Sequence, residues 1–211
     1  MKYSLAFAFL LIAVSGTLAQ TASRLGIPYD SLQSVLEEMY DLDQEVRIDF
    51  MERTQRGDTS LSTVKAKMRK VDSANQVGVK KILAEYGWLP QSKIGGKAAG
   101  TLFLVIQHAD LETIRKYLPL LKSAVEAGEA NATSAAMMED RVLMYEGKKQ
   151  LYGSQASGRP KEDGSSEYFI WPIENPEEVN QRRAKVGFNS TVEENAARMN
   201  AIYNPNEELP Q

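Results

Sequence analysis

Apolar residues recur at three- and four-residue steps along most of this chain, and that period constrains the fold more than any other feature. It is the period of one face of an α-helix. Leu32, Val35, Leu36, Met39, Leu42, Val46 and Phe50 carry it first. Asp30 or Ser31 can cap this helix, which is predicted to run to about Arg56. Gly57-Asp58-Thr59-Ser60 breaks the pattern, and a second helix follows from roughly Leu61 to Tyr86. Its apolar side holds Leu61, Val64, Met68, Val71, Ile82, Leu83 and Tyr86, with Asp72 and Asn75 on or beside the stripe. Two long helices joined by a short loop pack antiparallel.

The remaining chain continues the pattern and then leaves it. After a loop from Gly87 to Gly96, the run Leu102 to Ile106 lies within a third predicted helix, Lys97 to His108. A helix apolar nearly all round belongs at the centre of a bundle. Asp110 can cap a fourth helix reaching about Ala127, which Pro119 is expected to kink or split. Ala132 to Tyr145 reads as a fifth helix. Two short aromatic and β-branched stretches follow, Gln150 to Gly153 and Tyr168 to Ile173, separated by the polar loop Ser154 to Glu167. They predict a small β-hairpin. Asn175-Pro176-Glu177-Glu178 opens a helix to about Val186, and Ser190 opens a last one to Tyr203. The fold class is therefore mainly α: an irregular helical bundle with one small β-hairpin and a helical C-terminal arm. It forms one domain over 30–203, with a lead-in at 20–29 and a flexible tail at 204–211.

The N-terminus speaks to compartment. Lys2 supplies a positive start, Leu5 to Val14 is unbroken apolar, and small residues stand at Thr17 and Ala19. That order is the one a signal peptidase reads, and it predicts cleavage after Ala19. The apolar stretch is too short to cross ~30 Å of hydrocarbon, and no later segment is long and apolar enough to do so. The expected product is exported, to a periplasm or the exterior, without a transmembrane segment. There are no cysteines, so there is neither a disulfide framework nor a thiolate site. The net charge of -3 argues against a nucleic-acid binder, which needs a basic surface.

His108 is the only histidine, and it stands where the most apolar run ends in Gln107-His108-Ala109-Asp110. Imidazole titrates near neutrality and can act as a general acid or base. Asp110 could orient it, or could merely cap the next helix. Asp140 is a second candidate orienter. Arg141, its neighbour, could bind a carboxylate or phosphate through two parallel bonds, or form an ion pair with Asp110 or Asp72. Gln107, Gln150, Tyr152 and Gln155 could wall a pocket, with Gln150 and Tyr152 alternating onto one face of a strand. Asp72 and Asn75, three apart, share a helical face and need polar partners there. One histidine and no cysteine make a transition-metal site unexpected. Gly95-Gly96 and Gly100 match no nucleotide-binding loop, so no cofactor is implied.

Several short motifs occur in a fixed order: Val71-Asp72-Ser73-Ala74-Asn75, Tyr86-Gly87-Trp88, Gln107-His108-Ala109-Asp110 and Asp140-Arg141-Val142. Gly147-Lys148-Lys149-Gln150, Tyr152-Gly153-Ser154-Gln155, Pro172-Ile173 and Arg182-Arg183 complete the series. In order and spacing they resemble an uncharacterised bacterial family, the domain of unknown function 6624, over about 71–187. Leu89 after the tryptophan and Ser154 depart from its pattern. The resemblance implies positions to examine and no activity. Two readings follow. In the first, an exported protein holds a polar small-molecule site, hydrolytic in character and centred on His108. In the second, a non-catalytic envelope or interaction protein uses the same residues as a structural polar network.

Overall fold

The computed structural model describes residues 26–58, 60–162 and 166–210. The expected signal peptide and most of the lead-in lie outside the described residues. The helical period is realised as α1 (Tyr29–Gln55), α2 (Leu61–Tyr86), α3 (Gln91–Gln107), α4 (Leu111–Glu126) and α5 (Ala132–Tyr145). The chain is mainly α.

α3 is the centre of the bundle and packs against α1, α2, α4 and α5. Ile94, Ala98, Leu102 and Ile106 lie one turn apart along it and are fully buried. Each large apolar side chain withdrawn from water in this way contributes ~1.5–3 kcal/mol. They pack with Leu36 of α1, Val79 and Leu83 of α2, Ile114 and Leu121 of α4 and Met138 of α5. Thr101 adds a polar stitch inside this core, its hydroxyl donating to the Leu36 carbonyl at 2.9 Å. Along the outside of α1, Val35, Leu42, Ile48 and Met51 remain exposed.

Three sequence expectations for the bundle are refined. A separate helical turn opens at Gln91 within the expected loop, and Gly95, whose φ of 77° is non-helical, kinks it away from the main run that begins near Lys97 as expected. Only a residue without a Cβ takes that conformation at little cost. α4 runs through Pro119 without a split. α1 starts at Tyr29, so Asp30 lies in its first turn rather than at the cap, where an acid still meets the positive end of the helix.

The hairpin is also displaced. Its strands are β1 (Ala156–Pro160) and β2 (Ser166–Ile170), antiparallel, with Ala156 opposite Ile170 and Pro160 opposite Ser166. The polar stretch read as a loop therefore supplies a strand. Gln150 to Gly153, read as a strand, is an irregular loop with one parallel bridge from Gln150 to Ile173. A short 3-10 turn, Pro176–Glu178, leads into α6 (Val179–Lys185), and α7 (Val192–Arg198) follows. α7 stops five residues short of Tyr203. Thr191, not Ser190, caps it, sharing reciprocal bonds with Glu194. Ile202 then pairs with Phe169 of β2. Beyond it, where a flexible tail is expected, Glu207 accepts from Arg159 at 2.9 Å. Ile170, Ile173, Val179, Val192 and Ala196 form a second, smaller core under this arm.

Candidate functional site

α5 carries Asp140 and Arg141 side by side, and successive helical residues point about 100° apart. Asp140 points under the loop from Gln150 to Gln155 and is fully buried. Its carboxylate accepts from the backbone N–H groups of Leu151 at 2.7 Å, Tyr152 at 3.1 Å and Ser154 at 3.0 Å. The Ser154 hydroxyl adds a fourth donor at 2.8 Å. Every partner is a donor, and only an ionised carboxylate accepts at all of these positions. Burial is the larger influence and holds its pKa above the ordinary carboxylate value, while those same donors work against the rise.

The carbonyls of this loop are held from the other side. Arg182 donates to Leu151 O at 2.9 Å, Arg183 to Tyr152 O at 2.8 Å, and Asn195 to Gly153 O at 2.9 Å. Gln150 closes the ring internally: its Nε2 donates to Gln155 O at 2.9 Å and its Oε1 accepts from Gln155 N at 2.9 Å. Gly153 has φ of 64°, and an added Cβ would come within 2.6 Å of Val192 and 2.8 Å of Ile173. The loop is thus fixed at nearly every polar group.

Beside it lies a cavity of about 330 Å³ between α3, α5, the loop and the C-terminal arm. That is at the small end of ligand pockets, which run from ~300 to 1,000 Å³. Phe103, Leu104, Met137, Met144, Phe188 and Met199 give it an apolar body. Gln107, His108, Arg141, Gln155, Asn195 and Arg198 supply polar groups, and no Asp or Glu lines it. Several arginines elsewhere are matched with acids: Arg47 with Asp43 and Asp72, Arg53 with Asp49 and Asp58, Arg159 with Glu167 and Glu207. Among the described residues, Arg69, Arg141, Arg183 and Arg198 form no ion pair, and of these Arg141 and Arg198 line the cavity. Only two buried side-chain polar atoms among the described residues lack a hydrogen-bond partner, Gln107 Oε1 and Arg141 Nε. Both belong to residues lining this cavity. Leaving such an atom bare costs ~1–3 kcal/mol, so the polar groups of this lining are less completely paired than those of the loop beside it.

Sequence comparison agrees in extent with this architecture. The model of the family of unknown function DUF6624 matches residues 30–204. The chain belongs to that family. The match reaches beyond 71–187 in both directions and takes in α1 and α7. Neither a curated protein nor a solved structure matches the chain.

In this DUF6624 chain, Gln107, His108, Arg141 and Gln155 are brought together on the cavity, whereas Asp110, Asp140, Gln150, Tyr152, Asp72 and Asn75 do not line it. Asp110 caps α4 and accepts from Thr113 N at 2.8 Å. Asp72 pairs with Arg47 at 2.8 Å, and Asn75 donates to Met39 O at 3.2 Å. Neither Asp110 nor Asp72 reaches Arg141. The Tyr152 ring stands 6.3 Å from Phe188, tilted against it. The strand face proposed for Gln150 and Tyr152 does not form.

His108 ends α3 and borders two spaces, the cavity and a narrow crevice holding Asp43, Arg47, Asp72, Asn75 and Gln76. Burial first, then the Arg47 and Arg141 charges, push its pKa down to about 4, while Asp43 opposes them. The residue is nonetheless exposed, because its dense surroundings open to water on one side. Water there screens the charges, so the downward direction governs its chemistry rather than the size of the shift. At neutral pH His108 is uncharged. Among the described residues no carboxylate accepts from its ring.

Sequence reasoning missed Arg198 and Asn195 on the cavity, and it used Arg182 and Arg183 only as part of a motif. Arg198 gave no signal of its own. It reaches the cavity only because α7 folds back over the loop, where its Nη2 donates to Asn195 Oδ1 at 2.6 Å.

Proposed function

We propose that this chain is an exported protein that binds a small, largely apolar organic anion in the cavity beside His108. The observation that carries this reading is the pairing of Arg141 and Arg198 on a cavity without a single acid, in a chain whose net charge is -3. Guanidinium groups match carboxylates in shape as well as charge. The apolar lining residues then suit the hydrocarbon part of the same ligand. The order of charge, apolar run and small residues before Gln20 supports export. Binding is favoured over hydrolysis because each carboxylate expected to orient His108 is occupied elsewhere, and a histidine base needs an orienting partner to work as one.

A structural role is supported for a partly different set of residues. Asp140, Gln150 and Gln155 make bonds that fix one loop, and this supports a scaffold role for them.

The test is isothermal calorimetry with aryl-substituted propionates and butyrates against their neutral amides. The acids are expected to bind at least about tenfold more tightly than the amides, a difference of ~1.4 kcal/mol. Arg141→Met and Arg198→Met should each remove most of that preference. Equal binding of acids and amides, or no binding of any acid, overturns the proposal.

A further inference from the structure

The wall of the cavity continues into a strand with an open edge. Ser154, Gln155 and Ala156 line the cavity in succession, and Ala156 is the first residue of β1. Residues of an antiparallel pair alternate between bonding across the pair and pointing away from it. Trp171 N donates to Gln155 O at 3.0 Å, and the register sets Ser157 opposite Phe169 and Arg159 opposite Glu167. These alternate residues therefore turn their backbone groups toward β2. Ala156 and Gly158 turn theirs outward, each offering one N–H and one C=O. Pro160, which has no N–H to offer, ends the run.

The two edges of the hairpin differ. On β2 the outward groups are used: Ile170 N donates to Ile202 O at 2.9 Å, and Tyr168 O accepts from Ile202 N at 2.8 Å. On β1, among the described residues, no bond from outside the hairpin reaches the backbone of Ala156 or Gly158. Gly158, Arg159 and Pro160 are exposed. A free edge is a template for one more strand. The cavity, at about 330 Å³, holds little more than one terminal residue, so a longer ligand has to leave it along a wall such as this one.

Building on the anion-binding reading above, we infer that the anion is the C-terminal carboxylate of a peptide or protein chain whose last residue is apolar. Arg141 and Arg198 take the carboxylate, and the apolar lining takes the last side chain. The preceding residues run out along β1 toward Pro160, as a strand antiparallel to it, bonding to the outward groups of Ala156 and Gly158. Ala156 to Pro160 spans ~13 Å, so about four residues of the partner lie on the edge. Main-chain bonds along the edge then supply affinity, and the captured carboxylate fixes the register.

Calorimetry with the acetylated pentapeptide Ala-Thr-Val-Thr-Phe tests this against the C-terminal amide of the same peptide and against N-acetylphenylalanine, which has the terminus without the strand. The free acid should bind at least about tenfold more tightly than either. Single backbone N-methylations along the peptide should weaken binding at alternate residues, because only every second N–H faces β1. Gly158→Pro removes one outward N–H and should cost the pentapeptide about fivefold, the worth of one hydrogen bond. N-acetylphenylalanine is too short to reach Gly158 and should bind that variant as it binds the wild type. If Gly158→Pro does not fold, the N-methyl series on the wild type decides alone. A pentapeptide that binds no more tightly than N-acetylphenylalanine, with dependence on Arg141 retained, overturns this inference and leaves the anion site standing. An N-methyl series without alternation does the same. Equal binding of the acid and the amide, or no binding of any probe, overturns both.

Discussion

Asp140 and Arg141 are neighbours on one helix, yet they belong to opposite kinds of polar site. Around Asp140 every donor has an acceptor and nearly every acceptor a donor, within one closed loop. Around Arg141 a buried Nε stays unpartnered, no acid is paired with the guanidinium, and Gln107 next to it has a bare oxygen. Burial of polar groups is common to both regions, so burial does not tell a structural network from a binding site. Completeness does. The loop network is finished without help, and its product is a rigid wall, since Ser154 and Gln155 at its end line the cavity. The cavity is unfinished, and that is what a site for something else looks like.

The largest expected effect lies on the finished side. Replacing Asp140 by Ala strands three backbone N–H groups and a hydroxyl in a buried to half-buried loop. Unsatisfied buried donors cost ~1–3 kcal/mol each, and partial relaxation brings the expected loss to about 4 kcal/mol in urea unfolding. A loss below about 1 kcal/mol would show that the loop is not held through this residue, and the contrast drawn above would collapse. Anion binding should weaken only as far as the cavity wall is disturbed.

The next test is on the open side and uses the single histidine as a reporter. A folded-state pKa lowered from 6.5 to about 4 means that the unfolded chain binds more protons between those values. Stability therefore rises with pH across that window and is lost as pH falls from 6.5 toward 4. Several carboxylates with lowered pKa, including Asp110 and Glu193, contribute with the same sign. The comparison with His108→Gln isolates the histidine, and that variant should show a shallower acid slope. In NMR the one imidazole should titrate below 6.5 in the free protein and move upward when 3-phenyllactate binds, because a carboxylate offsets the Arg141 charge. An imidazole titrating at 6.5 or above in the free protein contradicts the described environment.

Much of the bundle was legible in the chain because its period is long and regular. α2 and α5 stand where the apolar steps, with Gly87 and Gly147 as stops, put them. Local rules failed where tertiary contacts decide. Pro119 is tolerated in α4 although it removes a helical hydrogen bond. The polar stretch Ala156–Pro160 becomes a strand because β2 offers it a partner, and no strand period marks it. The candidate site divided along the same line. The run ending in Gln107-His108 flagged the cavity, since polar residues closing an apolar helix are conspicuous. Which polar residues would face one another could not be read, because Asp110, Asp140 and Arg141 differ only in helical angle and in what folds over them. Arg198 depends on a long-range return of the chain that leaves no local trace.

The smallest effect separates Asp110 from both networks. It accepts from Thr113 N as the cap of α4, and it lies on neither the loop nor the cavity. Asp110→Ala should cost about 1 kcal/mol of stability, the usual worth of such a cap. Asp110→Asn should cost less, since an amide oxygen caps nearly as well. Neither change should alter the calorimetric preference for acids over amides. If Asp110→Asn abolished that preference while stability held, Asp110 would be acting through His108 rather than through Thr113. The boundary between finished and unfinished polar groups would then have to be redrawn to place the cap residue on the cavity side.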